Sequence, residues 1–536
     1  MAPLGAWLAS SAGCASADTS AVGASSSRLV ESTVLGVDTA RRHQRITGFG
    51  ASSAWTGGSI SEDTADQFFS AERGIGLSLL RMHITPEGDS SEMATARRAA
   101  ARGVLVWAAP WSPPGEWKTS GTATNGGSLL PEYYQDWADR LASFAVTMNE
   151  AGVPLYALSA QNEPNWTAEW ETCVYTPQEL VTFVGEYLAP ALEQASPDTK
   201  LLGPESIDWI TLKQYADPLL ADATTNAALD IVGVHAYGGT PFAYTAPAEN
   251  GKEFWETEVS YDANTGQLAA LETARQIQRH LVEGGVNAFH YWWLTSTSSG
   301  ALMMSGELLP QAYALGHYSK FIRPGFVRVE VPAKPTPGVW SSAFFDPASH
   351  RTVLVLVNEN SADFAFDLRV DGAAPIQVTP WVTREGESLA AHEPVAFESP
   401  FSYVLGAQTV VSLVLDEVVT PPVETGEGGA PSSAGAPSVG ASGAGSDSGG
   451  EASSEPKPSA GSSGAGGRPV SNGPSAEGGG SDPTAITSRK RGEYMSCTLA
   501  APARSGAPLG LFGSVALFAW WRARRSAKSA EQRSVG

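Results

Sequence analysis

The chain has 536 residues, too many for one ordinary hydrophobic core, so two folded units with extra segments are the starting expectation. Its 34 basic against 56 acidic side chains leave a formal charge of −22, which argues against nucleic acid and anionic membrane surfaces as partners and suits a neutral substrate. Apolar residues make up 42%, with 16 tryptophans, enough for a large core or for stacking on the apolar faces of sugar rings. Cys14, Cys173 and Cys497 are far apart and odd in number, so no disulfide framework or zinc spacing is written here. Cys173 has no histidine pattern around it and reads as a lone thiol.

Residues 1–30 read as a secretion signal or disordered start, rich in Ala and Ser but without a basic beginning. Ser11-Ala12-Gly13-Cys14 looks like a lipoprotein cleavage site that lacks the aliphatic residue three before the cysteine. From about 31 to 325 apolar runs alternate with helical stretches, as βα units do. The runs are Arg45–Ala51, Leu77–Ile84, Val104–Ser112, Leu155–Pro164, Leu201–Ser206, Ile231–Tyr237, Glu253–Ser260 and Ala288–Leu294. The helical stretches are Glu62–Glu72, Glu92–Arg102, Pro131–Ala151, Pro177–Gln194, Thr211–Asp222 and Gln267–Gly284, with Ser61 as a cap and Gly284-Gly285 as a stop. Only 238–252 has no convincing helix. Eight strand-like runs over this length predict a (β/α)8 TIM barrel. An open doubly wound sheet would want a glycine-rich phosphate turn after its first strand, and there is none.

From 326 to 417 the texture changes to short alternating runs: Phe326–Val331, Val339–Phe345, Thr352–Asn358, Phe364–Val370, Ile376–Val382 and Thr409–Leu415. They predict an appended all-β sandwich, which the early β-branched run Ser32–Val37 would join. Residues 418–495 are mostly Gly, Ser, Ala and Pro, too poor in apolar surface to fold, and read as a linker. In 496–536 come Cys497, the apolar run Leu509–Trp521 and a basic end, Arg522, Arg524 and Arg525. The run is shorter than the roughly 20 residues a bilayer needs. The segment resembles the C-terminal sorting signals of myxobacterial surface proteins, with a short tail anchor as the alternative.

Hydrolysis of a glycosidic bond needs two carboxylates, one to protonate the leaving oxygen and one to attack or to activate water. Glu163, in Asn162-Glu163-Pro164 at the carboxyl end of the fourth run, is the first. On the seventh run Glu256 and Glu258 share a face, and Glu258 is closer to the carboxyl end, where barrel active sites lie. Glu256 would point inward one layer down, or the strand carries a bulge.

These residues make the chain similar to glycoside hydrolase family 30, within the clan of barrel enzymes whose acid/base and nucleophile lie on strands four and seven. The likeness covers about Arg45 to Leu415 and is nearest to bacterial xylanases of that family. It rests on Gly48-Phe49-Gly50-Ala51-Ser52, Leu79-Leu80-Arg81, Pro110-Trp111-Ser112-Pro113-Pro114, Ser159-Ala160-Gln161-Asn162-Glu163-Pro164, Tyr215-Ala216-Asp217-Pro218, His235-Ala236-Tyr237-Gly238, Trp255-Glu256-Thr257-Glu258 and Phe321-Ile322-Arg323-Pro324-Gly325.

The resemblance implies a retaining double displacement, with Glu163 as acid/base and Glu258 as nucleophile. Asn162 would bond the sugar 2-hydroxyl, Arg81 would pair with Glu258, and Tyr237 would orient it. Trp55, Trp111 and one of Trp292 and Trp293 would wall the subsites. His235 is expected as a hydrogen-bonded barrel residue rather than a proton shuttle. No metal or cofactor is expected. The partner would be a polysaccharide, most simply xylan, met by a monomer secreted and held at the cell surface by anchoring machinery.

One departure bears on the substrate. Relatives that require glucuronate on xylan carry arginine in the loop after the eighth strand, whereas here it reads Leu294-Thr295-Ser296-Thr297-Ser298-Ser299-Gly300. A weak or absent glucuronate requirement follows. The loop Thr85-Pro86-Glu87-Gly88-Asp89-Ser90 is short, which would open that side of the cleft. Action as a glucuronoxylanase, or on other β-glycans such as β-1,6-galactan or β-1,6-glucan, is the alternative. A non-catalytic carbohydrate-binding protein would lack one of the two carboxylates, and both are present.

Overall fold

A computed structural model describes residues 33–417 apart from 57, 58 and 262, so the calls on the N-terminal segment, Cys14, the linker, Cys497 and the C-terminal run lie outside the described residues. The chain enters on a long strand, β1 (Thr33–Arg45), and then lays down the first barrel strand, β2 (Gly48–Ser52). The barrel continues through α1 (Glu62–Phe69), β3 (Leu79–Ile84), α2 (Met93–Ala100), β4 (Leu105–Pro110), α3 (Tyr134–Glu150) and β5 (Leu155–Ser159). Next come α4 (Pro177–Thr182) and α5 (Ala189–Ala195), joined by a π-helical turn, then β6 (Lys200–Ser206), α6 (Leu212–Ala221), α7 (Ala223–Ala228) and β7 (Leu229–His235). It finishes with α8 (Ala246–Glu249), β8 (Glu253–Glu258), α9 (Gly266–Arg279) and β9 (Ala288–Ser296).

Strands β2 to β9 pair in parallel and in order, and β8 closes on β9. The eight predicted strand runs are these strands, and the TIM barrel is the fold. Their near-continuous apolar sequence has a simple cause: a parallel strand is covered by helices outside and by the barrel core inside. In β3, β6 and β8 the inner face carries arginine and glutamates instead, and that exception makes the site.

Helix α1 starts where expected, with Ser61 accepting from the Thr64 amide, and the helix after β8 ends at Gly285 in the left-handed conformation (φ 72°). The stretch 238–252 holds only the short α8. A hairpin, β10 (Ala301–Met304) and β11 (Glu307–Leu308), extends β9, and α10 (Pro310–Ser319) follows. Helix α10 is buried along nearly its whole length, so its sequence has no amphipathic period to read.

The side domain contains β12 (Val327–Glu330), β13 (Val339–Phe345), β14 (Thr352–Asn358), β15 (Phe364–Asp371), β16 (Gln377–Arg384), β17 (Glu387–Ala391), β18 (Val395–Ala396), β19 (Phe401–Leu405) and β20 (Thr409–Asp416). Strand β1 joins it, parallel to β15 and antiparallel to β12, so the early run belongs here and extends to Arg45. These strands form one continuous, mostly antiparallel sheet curled around its own core. Strand β14 shows how the two units are joined. Leu354 and Leu356 face the side-domain core, while Val353, Val355 and Val357 pack into the barrel core, so period-two alternation buries every residue. Among the described residues no helix is long and apolar enough to cross a membrane.

Candidate active site

The site lies at the carboxyl ends of the barrel strands. Past β5 the chain still follows the barrel wall: the Asn162 amide donates to the Pro110 carbonyl and the Glu163 amide to that of Glu205. Glu163 and Glu205 both adopt positive φ, 46° and 54°, a conformation costly for side chains of this kind and found where surrounding structure over-determines it. The backbone here is shaped to aim carboxylates inward.

Arg81, on β3, is the hub. It is fully buried, and its guanidinium bonds Glu258, the Asn162 Oδ1 at 2.6 Å and the Glu205 Oε2 at 2.8 Å. It also lies 4.5 Å from the ring centroid of Trp111, 5.3 Å from that of Trp107 and 5.8 Å from that of Trp292. Aromatic faces and carboxylates together compensate the lost hydration of the charge. Burial alone would lower the Arg81 pKa; the charges of Glu205 and Glu258 outweigh it and raise it.

The Glu258 carboxylate takes Arg81 on one oxygen and the Tyr237 hydroxyl, at 2.7 Å, on the other. Glu163 faces it from just past β5, with one oxygen of each carboxyl within 4.8 Å of the other. Burial pushes the Glu163 carboxyl above the ordinary value, against the opposing pull of its bond to His235. His235, at the end of β7, bonds Glu163 Oε1 through Nδ1 at 2.9 Å and Glu205 Oε2 through Nε2 at 3.4 Å. His235, Glu163 and Glu258 converge as metal ligands do, but the Arg81 guanidinium already supplies the cation at Glu258.

Trp55, Trp111 and Trp292 form one aromatic cluster with centroids 5.0 to 6.1 Å apart. Trp55 is 42% exposed, whereas Trp111 and Trp292 are nearly buried. The register of β2 against β9 slips between Tyr291 and Trp293, a bulge that lets consecutive Trp292 and Trp293 stack at 5.2 Å. Trp292 therefore adjoins Trp55 and Trp111, and Trp293 stacks against Trp292.

Glu256 now has a structural role. It is buried, its Oε1 accepts from the Glu258 amide at 3.1 Å and its Oε2 from the His290 amide at 2.9 Å, so it ties the catalytic end of β8 to β9. Burial pushes its carboxyl well above the ordinary value. Cys173 is buried without a disulfide partner and, raised by burial to about 12, is no nucleophile.

Two acidic residues escaped the sequence reading. Glu205 ends β6 in Pro204-Glu205-Ser206, and the signal was available: an acid at the carboxyl end of a buried strand, as at Glu163. Glu171, in the loop after β5, pairs at 2.8 Å with His83, whose ring lies against Trp55 and Trp111. No local pattern announces that pair.

The arrangement resembles that of known proteins over most of the described chain. The model of the glycosyl hydrolase family 30 TIM-barrel domain matches residues 65–266. The glucuronoxylanase XynC of Bacillus subtilis is 30% identical over 389 residues, which cover 69% of this chain and 89% of that protein. The crystal structure of Xyn30A, a family 30 subfamily 8 xylanase from Clostridium acetobutylicum, aligns with a TM-score of 0.66 at 31% identity, over 72% of this chain and 100% of its own. A family 30 endoxylanase from Clostridium papyrosolvens C71 aligns with a TM-score of 0.64, again at 31% identity and over 72% of this chain.

Proposed function

Because the chain belongs to glycosyl hydrolase family 30, and so is an O-glycosyl hydrolase, we propose that it is a retaining endo-β-1,4-xylanase with little or no need for glucuronate on the chain it cuts. The observation that supports the retaining mechanism is that Glu163 and Glu258 face each other with one oxygen of each within 4.8 Å, both in contact with His235. That spacing suits direct attack by a carboxylate, since enzymes that place a water between the pair hold their carboxyls about 6.5–9.5 Å apart.

In the first step Glu163 gives its proton to the glycosidic oxygen while Glu258 attacks the anomeric carbon, forming an ester and releasing the leaving chain. In the second, Glu163 takes a proton from water, and that water displaces Glu258. Burial of Glu163 suits it to start as an acid. Asn162 has its carbonyl oxygen occupied by Arg81, which leaves its amide NH2 to donate to the sugar 2-hydroxyl. Trp55, the exposed member of the aromatic cluster, walls a sugar subsite. Xylan is favoured by the names of the relatives, and the glucuronate-independence by the loop 294–300, which has neither Lys nor Arg. Xylan is met outside the cell, and secretion with surface display through residues 418–536 belongs to the same proposal.

Reducing-end release from plain xylan, glucuronoxylan, β-1,6-galactan and β-1,6-glucan is the test. Comparable rates on both xylans are expected, with the β-configuration kept in the first-formed product. A strict demand for glucuronate would overturn the specificity, and inversion would overturn the mechanism. Turnover of only the β-1,6-linked glycans would move the substrate. Glu258→Gln should lower kcat by at least about a thousandfold.

A further inference from the structure

We propose that Glu205, which touches no reacting atom, is a positioning residue that holds His235 doubly protonated, so that His235 donates to Glu163 Oε1 and leaves Oε2 to carry the catalytic proton. The proposal rests on the reading of Glu163 as the acid. Its ground is the chain of contacts Arg81–Glu205–His235–Glu163, three links of 2.8, 3.4 and 2.9 Å among side chains that are all buried.

A neutral imidazole has one donor and one acceptor nitrogen. A carboxylate at Nε2 demands a hydrogen there, which in a neutral ring would make Nδ1 an acceptor. The proton of Glu163 would then be drawn to Nδ1, away from substrate. An imidazolium donates at both ends and removes this competition. The groups facing the ring favour that state: Glu163, Glu205 and, 3.8 Å from Nε2, Glu258, with the Tyr237 ring on edge and Arg81 and Glu256 in the surrounding shell. Burial alone would lower the His235 pKa, and these carboxylates outweigh it and bring it to about 10. Burial would likewise raise that of Glu205; Arg81 and His235 bring it below the ordinary value.

The charge count gives Glu205 its purpose. Arg81 and His235 are two fixed cations, and with Glu163 protonated only Glu258 and Glu205 are left to balance them. When the glycosyl group is transferred, Glu258 becomes a neutral ester and Glu163 becomes the anion. The negative charge has moved from one side of His235 to the other, and the buried cluster is balanced before and after. Without Glu205 it would carry one positive charge in excess at both stages, in a site where charge imbalance is costly.

The experiment compares kcat/KM, which reports the glycosylation step, on two aryl β-xylobiosides. One has a phenol leaving group that needs protonation, the other a 2,4-dinitrophenol that does not. Glu205→Gln keeps the shape and an acceptor for Arg81 while removing the charge. It should lose on the order of 10²-fold on the phenyl substrate and less than about threefold on the dinitrophenyl one. His235→Gln should show the same leaving-group dependence. Equal losses on both substrates would overturn the proposal, because a merely structural or nucleophile-directed role does not distinguish leaving groups. Where Glu205→Gln fails to fold by circular dichroism, His235→Gln, which removes the cation that Glu205 is proposed to hold, decides under the same criterion. Failure of the wild-type enzyme on both aryl glycosides would instead count against the reading of the function itself.

Discussion

Two fully buried histidines, His235 at the catalytic end and His317 at the seam between barrel and side domain, sit in opposite electrical states. His235 faces three carboxylates and is brought up to about 10. His317, on α10, faces hydroxyls and is pushed down by burial to about 3. Its hydrogen bonds define a neutral ring. The Ser412 hydroxyl donates to the His317 carbonyl, so Ser412 Oγ accepts from Nδ1–H at 2.9 Å, and Nε2 accepts from Thr383. His290 is a second neutral case, accepting from the Trp107 indole at 3.0 Å and donating to the Glu256 carbonyl at 2.9 Å. Burial by itself therefore does not decide whether a histidine is charged; the partners that share its burial do.

The largest way to break the contrast is at Arg81. Arg81→Leu should destabilise the fold by about 3–5 kcal/mol, because Glu205 and Glu258 lose their common cation, and should abolish turnover. Urea unfolding and xylan hydrolysis read both effects. At the seam, His317→Phe should cost about 2 kcal/mol by leaving the Ser412 and Thr383 hydroxyls short of a partner, with kcat unchanged. A matching fall in kcat would show that the seam reaches the active site.

A finer test is the pH dependence of the urea midpoint, where the two kinds of histidine set opposite limbs. His317 and His290 have folded pKa values below the ordinary 6.5, so the unfolded chain takes up their protons first. Stability should fall as pH drops below about 6.5 toward 3, with a slope of about 1.4 kcal/mol per pH unit for each proton. His235 lies above 6.5, so its contribution is present below that pH and is lost as pH rises through about 10. His317→Phe should flatten the acid limb by one proton and leave the alkaline limb alone. A change in the alkaline limb would contradict the assignment.

How much of this was legible varied with how local the cause was. The eight barrel strands could be read because helices and core cover both faces of each, leaving unbroken apolar runs. Strands β17, β18 and β19 were missed because they are short and partly exposed, without a clean alternation. Helix α10 was missed for the opposite reason, being buried on nearly all sides. Asn162-Glu163-Pro164 stood out because polar residues after an apolar strand have few structural uses. Glu205 carried the same signal and was passed over, since its meaning comes from Arg81 and His235, 124 and 30 residues away.

The sequence by itself determined the alternation of strands and helices, the side domain and the two strand-end glutamates, because period, apolar content and position along a strand are local properties. Only the tertiary structure decided what those glutamates face. Barrel closure brings β3, β5, β6, β7 and β8 to one rim, so that Arg81, Glu163, Glu205, His235 and Glu258 share a single buried hydrogen-bonded cluster. Which side chains are charged there follows from distances between residues far apart in the chain, and Coulomb energy depends on those distances rather than on sequence spacing.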